Sequence, residues 1–154
     1  MCGITGILNT NDRLVSKDVL QKMTDIVKHR GPDGQGIWTN DYVGFGHRRL
    51  SIIDLSEAGK QPMKNDDGNL TITYNGEVYN FKDIQKELKS NGYSFCSRTD
   101  TEVVLKAYEE WGKDCVHRFN GMFAFAIWDN RKKTLFLTRD RYGVKPLYYY
   151  FNDG

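Results

Sequence analysis

The strongest constraint on the fold of this 154-residue chain is an apolar run at residues 122–128, which reads Met-Phe-Ala-Phe-Ala-Ile-Trp. A strand that has one face in water alternates apolar and polar side chains, and this run does not alternate. The run therefore predicts a central strand that is covered on both faces. Residues 129–133, Asp-Asn-Arg-Lys-Lys, predict a hairpin turn that leads to a neighbouring strand at 134–138.

The rest of the chain switches between strand and helix patterns. Further strands are predicted at residues 4–8, 36–39, 42–47, 70–74 and 147–151, and Asn75-Gly76 is expected to end the fourth of these. Helices are predicted at 16–29 with Ser16 as N-cap, at 81–90, and at 101–111 behind a capping-box pattern at 99–102. Residues 55–68 are mostly polar and predict a loop. This order of elements indicates sheets in the middle of the molecule and helices outside.

Charge and composition argue against several classes of protein. The chain has 22 basic and 20 acidic residues, a net charge of +2, and the two signs are mixed along it. Such a balance disfavours a nucleic-acid or membrane partner held by charge. No apolar run is long enough to span a bilayer, and the first residues lack the pattern of a secretory signal. We expect a reduced, cytoplasmic protein, because its three cysteines lie far apart.

The histidines and cysteines do not have the spacing of a metal site. His29, His47 and His117 each stand alone, which favours surface or core roles over metal ligation. We therefore predict no metal ligand among them.

Cys2, directly behind the initiator Met1, is the strongest candidate for a catalytic residue. Removal of Met1, which the small side chain of cysteine favours, would leave a thiol and a free α-amino group on one residue. An ordinary α-amino group has a pKa of about 7.7–8.0 and an ordinary thiol about 8.5, so such an amine can accept the thiol proton near neutral pH. The thiolate can then attack a carbonyl carbon. The alternative is a cysteine that packs as a small apolar residue.

Four further segments carry polar groups, and each has a purely structural alternative. An arginine at a strand end, as at 48–49, can clamp a carboxylate with two hydrogen bonds, although most arginines are solvated. Asn75 and Gly76 can supply an amide and a backbone N–H to an oxyanion, but Asn-Gly is also the commonest hairpin turn. Asp100 can hold a substrate ammonium or cap the third helix. The segment 30–34, Arg-Gly-Pro-Asp-Gly, can simply end the first helix.

Taken together, seven segments resemble one family, the N-terminal glutaminase domain of glutamine-dependent asparagine synthetases. They are MCGI at 1–4, RGPDG at 30–34, HRRLSI at 47–52, YNGEVYN at 74–80, TDTE at 99–102, GMFAF at 121–125 and RDRYGVKPLYY at 139–149. Each is weak alone, but together they cover nearly the whole chain in the family's order and spacing. The resemblance implies an α+β fold of four αββα layers, in which two antiparallel sheets lie between helices, as in N-terminal-nucleophile hydrolases.

The resemblance also implies roles for individual residues. Cys2 matches the nucleophile, Asn75 and the Gly76 N–H match the oxyanion hole, and Arg49 matches the residue that binds the glutamine α-carboxylate. The remaining substrate-binding positions are Leu50, Ser51, Ile52 and Ile53, through their backbone, and Glu77 and Asp100, around the α-ammonium. The implied reaction converts L-glutamine and water to L-glutamate and ammonia through a glutamyl thioester on Cys2. No metal and no cofactor are implied in this domain.

In this family a C-terminal synthetase domain activates aspartate with ATP and Mg²⁺, and its serine- and glycine-rich pyrophosphate loop does not occur in this sequence. We therefore expect residues 1–154 to form the glutaminase domain alone and to deliver ammonia to such a partner domain. The end of the chain just behind an apolar strand also indicates a domain boundary. A homodimer is left open.

Other functions of the same fold remain alternatives. One is a non-catalytic glutamine-binding or docking module, and another is the glutaminase half of an amidotransferase that acts on a sugar-linked carboxylate. An independent amidotransferase of sugar or purine pathways shares Cys2 and the segment 30–33, but the segment 139–149 argues against it.

Overall fold

The computed structural model of the protein describes residues 1–51 and 56–152. Within these residues the chain forms seven strands in two antiparallel sheets and three α-helices. The strands are β1 (Gly3–Leu8), β2 (Gly34–Asn40), β3 (Val43–Arg49), β4 (Met63–Lys64), β5 (Leu70–Val78), β6 (Gly121–Asp129) and β7 (Thr134–Arg139). The helices are α1 (Lys17–Ile26), α2 (Phe81–Ser90) and α3 (Asp100–Trp111), and short 3-10 helices occur at Lys28–Arg30, Glu57–Gly59 and Gly112–Arg118.

The first sheet has the strand order β1-β3-β2. Gly3 at the start of β1 pairs with Arg48, and Gly34 at the start of β2 pairs with Arg49. Both outer strands therefore begin where β3 ends. This register brings Cys2, which immediately precedes β1, next to Leu50, which immediately follows β3.

The second sheet has the strand order β4-β5-β6-β7, so β6 is an inner strand. Phe123, Phe125 and Ile127 of β6 belong to the core beneath α2 and α3, while Ala126 and Trp128 pack in a cluster with Val43 and Phe45 of β3. The apolar run is thus covered on both faces, as predicted. The hairpin to β7 is also confirmed.

The two sheets lie face to face between two layers of helix. Helix α1 packs on β1 and β3 of the first sheet, and α3 packs on β5 of the second. The main core lies between the second sheet and its helices, and it includes Ile84 and Leu88 of α2 and Ile72 of β5. The predicted α+β fold with four αββα layers is confirmed.

The first helix begins as predicted and ends early. The Ser16 hydroxyl accepts a hydrogen bond from the Val19 N–H at 3.4 Å, which caps α1. The α-helix stops at Ile26 and the chain continues as the 3-10 helix Lys28–Arg30. The prediction of one helix over 16–29 was therefore right in place and too long at its C-terminal end.

Two strand predictions were wrong. Asn75-Gly76 does not end its strand: β5 continues to Val78, and Gly76 pairs with Phe123 of β6. The turn preference of Asn-Gly is a local signal, and pairing along the long β6 strand overrides it. Residues 147–151 form no strand in the structure; Tyr148 and Tyr150 are 90% and 88% exposed.

The loop predicted at 55–68 is interrupted by two short elements. The 3-10 helix Glu57–Gly59 and the two-residue strand β4 lie within it, and Leu55 lies outside the described residues. The short length of β4 is important below, because it pairs with β5 only at Thr71 and Ile72.

His47 has the core role expected of a lone histidine. It lies between the sheets, 1% exposed, with Nε2 3.2 Å from the Tyr74 carbonyl oxygen. Burial lowers the pKa of His47 to about 4, so its imidazole is neutral at pH 7.

The Asp140 carboxylate organises the turn that follows β7. Its oxygens accept hydrogen bonds from the backbone N–H groups of Phe123 at 3.2 Å, Tyr142 at 3.1 Å, Val144 at 2.9 Å and Lys145 at 3.0 Å. Burial acts to raise the pKa of Asp140, but the four N–H donors outweigh burial and hold the pKa below its ordinary value.

We expect Asp140→Asn to destabilise the protein by about 1–3 kcal/mol at pH 7, because an amide replaces a carboxylate oxygen that accepts N–H bonds. The folded-state pKa of Asp140 is below the unfolded one, so its contribution is present above pH ~4 and is lost as the pH falls through the folded-state pKa. The free energy of unfolding, measured by denaturant titration at several pH values, should therefore differ less between the variant and the parent in acid. Asp12→Asn, at an exposed position, is the matched control. An equal loss from both substitutions would contradict this role for Asp140.

No helix in the described part of the chain is long and apolar enough to cross a membrane.

Candidate active site

A cleft of about 120 Å³ opens where the ends of β1, β3 and β5 meet the first turn of α3. Seven of the predicted site residues line it: Cys2, Arg49, Leu50, Asn75, Gly76, Glu77 and Asp100. They come from four segments of the chain that the two sheets and α3 bring together. The cleft is also lined by residues without a predicted role, among them Met1, Gln61, Tyr74, Met122 and Lys145.

Cys2 lies half-buried at the edge of the first sheet. Its Sγ is 3.4 Å from the backbone nitrogen of Leu50 and 3.7 Å from the Leu50 carbonyl oxygen. The Arg30 Nε donates to the Cys2 carbonyl oxygen at 3.1 Å. The segment 30–34 therefore does more than end the first helix, because its arginine fixes the backbone of Cys2.

The edge of β5 that faces the cleft has no strand partner beyond Ile72 among the described residues. Side chains take the place of a strand there: Gln61 Oε1 accepts from the Tyr74 N–H at 2.6 Å, and Asp100 Oδ2 accepts from the Val78 N–H at 3.0 Å. Backbone N–H groups two residues apart point to the same edge of a strand. The Gly76 N–H, midway between these two, is therefore directed at the open edge beside the cleft.

Gly76 must be a glycine for steric reasons. A Cβ at this position would lie 2.5 Å from the Met122 carbonyl oxygen and 2.7 Å from the Phe123 Cα, which are backbone atoms of the paired strand. The glycine at position 76 is thus explained by the close approach of β5 and β6, not by a hairpin turn.

Asn75 and Glu77 flank Gly76 in β5. Because side chains alternate along a strand, both lie on the face of β5 opposite to that of Tyr74 and Val78. Asn75 is 5% exposed, and no hydrogen bond of its side-chain amide to residues 1–51 or 56–152 is found. Glu77 is partly buried and places a negative charge near Tyr74 and Asp100. The cleft therefore contains an amide and a carboxylate that are available to a ligand.

Asp100 is not the cap of α3, so that structural interpretation was wrong. The N-cap is Thr99, whose Oγ1 accepts from the Glu102 N–H at 3.3 Å, and Asp100 is the first helical residue. The capping box is only half formed, because the Glu102 carboxylate accepts from the backbone N–H groups of Cys96 and Ser97 instead of from Thr99.

The Asp100 carboxylate instead joins α3 to β5. Its Oδ2 accepts hydrogen bonds from the Tyr74 hydroxyl at 2.6 Å and from the Val78 N–H at 3.0 Å. Burial raises the pKa of Asp100, hydrogen bonds from Tyr74, Val78 and its own backbone N–H act to lower it, and the nearby charge of Glu77 raises it again. Tyr74 and Val78 both donate to Oδ2, and neither of them donates to Oδ1.

Arg49, at the end of β3, brings a positive charge to the lining of the cleft. Its Nη1 donates to the Ser56 carbonyl oxygen at 2.9 Å, and a Cβ on Gly59 would collide with the guanidinium. Ser51 does not line the cleft; its N–H donates to Asp33 Oδ2 at 2.8 Å and ties the chain after β3 to the segment 30–34. Ile52 and Ile53 lie outside the described residues.

Lys145 is a cleft residue that the sequence did not single out. Its side chain is 4% exposed, and its Nζ is 2.6 Å from the Met1 sulfur. The Asp140 turn holds its backbone in place, and only the segment 139–149 as a whole gave a sequence signal for it. Met1 itself also lines the cleft, next to Cys2.

A second cleft, of about 580 Å³, lies between β1 and β7 under residues 147–152. Its described lining includes no charged side chain and no cysteine. Among residues 1–51 and 56–152 no group of three histidine, cysteine or acidic side chains is arranged to hold a metal ion. The smaller cleft at Cys2 is therefore the one with the chemistry of an active site.

The fold has a clear counterpart among solved structures. The glutamine phosphoribosylpyrophosphate amidotransferase of Bacillus subtilis, complexed with ADP and GMP, superposes with a TM-score of 0.70 at 17% sequence identity. The match covers 89% of this chain and 37% of that chain. At this identity the likeness shows a shared fold.

The sequence places the chain in a family. The profile described as "Glutamine amidotransferase domain" matches residues 1–154, and the chain therefore belongs to that family. It is 48% identical to Asparagine synthetase [glutamine-hydrolyzing] 3 of Bacillus subtilis over 97% of its length, and 42% identical to the Putative asparagine synthetase [glutamine-hydrolyzing] 2 of Methanocaldococcus jannaschii over 99%. The chain spans only 25% and 32% of the length of these two relatives. The earlier resemblance to glutaminase domains of asparagine synthetases is confirmed.

Proposed function

We propose that this domain hydrolyses L-glutamine to L-glutamate and ammonia through a glutamyl thioester on Cys2. The observation that carries the proposal is one cleft that combines a thiol, the edge-directed Gly76 N–H, a cation and two carboxylates. An α-amino acid with a side-chain amide needs this set of groups. Membership of the glutamine amidotransferase family supports the same substrate.

In the proposed reaction, removal of Met1 gives Cys2 a free α-amino group that takes the thiol proton. The thiolate attacks the γ-carbonyl carbon of glutamine, and the negative charge that develops on the carbonyl oxygen is accepted by the Gly76 N–H and the Asn75 amide. The C–N bond breaks, and the proton held by the amine leaves with the nitrogen as ammonia. Water then cleaves the thioester, which releases glutamate and restores the thiol.

Arg49, Glu77 and Asp100 are the proposed ligands of the amino-acid end of glutamine. The Arg49 guanidinium can bind the α-carboxylate with two hydrogen bonds, and the carboxylates can hold the α-ammonium. The backbone of Leu50 lies beside Cys2. Ser51, Ile52 and Ile53 are the further substrate-binding positions that the family resemblance implies. No metal and no cofactor take part in these steps.

The relatives are three to four times as long as this chain, which supports a partner domain that uses the ammonia. We propose that residues 1–154 act as the glutaminase unit of such a protein in the cytoplasm. The names of the relatives favour an ATP- and Mg²⁺-dependent asparagine synthetase domain as that partner.

The proposal is tested with the intact protein and glutamine alone. Glutamate and ammonia should appear in a 1:1 ratio, and hydroxylamine should divert part of the product to γ-glutamyl hydroxamate, because it attacks thioesters. Intact-mass measurement on the same sample reports whether Met1 has been removed. A processed protein that releases no ammonia from glutamine would contradict the proposed function.

We expect Arg49→Lys to raise the KM for glutamine about tenfold or more, although the charge is kept. A planar fork is replaced by a single ammonium, so one of two charged hydrogen bonds, worth roughly 1.5–3 kcal/mol, is lost. Steady-state ammonia release gives the KM. Arg13→Lys, at an exposed position outside the cleft, is the matched control. An unchanged KM in the Arg49 variant would show that Arg49 does not clamp the α-carboxylate.

A further inference from the structure

We propose that Tyr74 is a positioning residue for substrate binding, whose buried phenol holds the Asp100 carboxylate in the orientation that receives the α-ammonium of glutamine. This role rests on the proposed function and adds a residue to which no role has been given above. Tyr74 acts through Asp100 and need not touch the reacting atoms.

The contact between the two side chains joins two layers of the fold. Tyr74 is 2% exposed on β5, Asp100 is 4% exposed at the start of α3, and the Tyr74 hydroxyl donates to Asp100 Oδ2 at 2.6 Å. The Val78 N–H donates to the same oxygen. With Oδ2 held by two donors from one strand, the carboxylate cannot rotate without losing both bonds.

Tyr74 is held in place by contacts of both its ring and its backbone. Its ring packs against Phe125 with centroids 6.3 Å apart, its backbone N–H is bonded to Gln61, and its carbonyl oxygen accepts from His47. A hydrogen-bond donor that is held by its surroundings preorganises the carboxylate to which it donates. Tyr74 therefore sets the orientation of the Asp100 carboxylate, and with it the position of Oδ1.

The phenol also favours the charged form of the carboxylate. Burial makes an ionised carboxylate costly, and a hydrogen bond to the charged form offsets part of that cost. Burial raises the pKa of Asp100 and the Tyr74 hydrogen bond opposes this rise. Burial, together with the charge of Asp100, raises the pKa of Tyr74 well above its ordinary value, so the phenol remains a donor.

Other charged or titratable groups lie near Tyr74 and Asp100. Their effects on ligand binding have to be distinguished from the effect of Asp100 titration. These groups are Glu77 on β5, Arg49 at the end of β3, Lys145 behind β7, and Cys2 with the N-terminal α-amino group ahead of β1. His47 also contacts Tyr74, but burial lowers its pKa to about 4, so it stays neutral above pH 5. Binding measured in a Cys2→Ala background removes the thiol, and Glu77 is common to all variants compared.

The experiment compares affinities for glutamine and for 4-carbamoylbutanoate, which is glutamine without its α-amino group. In the intact Cys2→Ala protein, Tyr74→Phe should weaken glutamine binding about tenfold at pH 7.5, as expected for one charge-assisted hydrogen bond. The amine-free ligand should change by less than about threefold. The glutamine deficit should grow as the pH falls towards 5, because Asp100 then protonates at a higher pH than in the parent.

Two further variants make the result specific. Tyr108→Phe removes the hydroxyl of another buried tyrosine, which stacks on Phe136 away from the cleft, and should leave both affinities unchanged. In an Asp100→Asn background, Tyr74→Phe should have little further effect on glutamine, because the charge that it positions is gone. This double variant leaves no unpaired buried charge, so it remains informative even where the single variant folds poorly.

The outcomes distinguish this role from the proposed function. Equal losses for both ligands, or fully additive effects of Tyr74→Phe and Asp100→Asn, would overturn the positioning role. So would an unchanged affinity in Tyr74→Phe while the parent enzyme hydrolyses glutamine, and the proposed function would then still stand. A processed parent that neither binds nor hydrolyses glutamine would overturn both.

Discussion

Replacement of Cys2 by alanine is expected to abolish ammonia release from glutamine while the protein remains folded. Loss of a covalent nucleophile commonly costs several orders of magnitude in rate, and we expect about four or more. The change in stability should be about 1 kcal/mol or less, because Cys2 is only half-buried and its sulfur has weak hydrogen bonds to the Leu50 backbone. Ammonia release and thermal unfolding, measured on the same preparation, give the two quantities.

The matched control is Cys96→Ala, since Cys96 is an exposed free cysteine outside the cleft. It should retain the parent activity. The third cysteine, Cys115, is buried, and burial raises its pKa to about 12, so its thiol is protonated and unreactive near neutral pH. Substantial glutaminase activity in Cys2→Ala would remove the basis for a thioester.

The second large effect is expected from Gly76→Ala. The added methyl group would press on backbone atoms of Met122 and Phe123, which cannot move aside as a flexible side chain can. The strands must separate locally, at a cost of about 1–3 kcal/mol or more in the free energy of unfolding. The Gly76 N–H would be displaced at the same time, and loss of one oxyanion donor costs about 10²–10³ in kcat.

Gly34→Ala is the control for this substitution. Gly34 also lies in a strand, but a Cβ there would meet its nearest neighbour, the Arg49 Cβ, at an ordinary 3.6 Å. Denaturant unfolding should show a much smaller loss of stability than for Gly76→Ala. If both glycines tolerate alanine equally well and Gly76→Ala keeps its kcat, then β5 and β6 are not as close as described and the N–H has no catalytic role.

Much of the fold follows from local signals in the sequence. The apolar run at 122–128 predicted its own burial on both faces because lack of alternation is a property of the strand alone. The Ser16 cap and the first turn of α1 are equally local. The end of β5 was wrongly predicted because the turn signal of Asn75-Gly76 competes with pairing to β6, and that pairing depends on residues more than 40 positions away in the sequence.

The site was predictable through the family resemblance and only in part through the residues. Cys2 gave its own signal, and six more predicted positions line the same cleft. Tyr74 gave no such signal. In the sequence it is an aromatic residue of an alternating strand, and its role depends on Asp100 of α3, which is distant in the sequence. Asp100 looked like a helix cap because its hydrogen-bond partners on β5 are 22 and 26 residues away in the sequence.

The short strand β4 has one further consequence, for the behaviour of the chain in concentrated solution. A strand edge with unpaired N–H and carbonyl groups is a template for association between chains, and proteins usually cover or interrupt such edges. Here β4 stops after two residues, and beyond it the side chains of Gln61 and Asp100 accept hydrogen bonds from the Tyr74 and Val78 N–H groups of β5. Between these two covered N–H groups lies Gly76, which lines the cleft. The side chains of Gln61 and Asp100 thus also keep this edge of β5 from pairing with a strand of another chain.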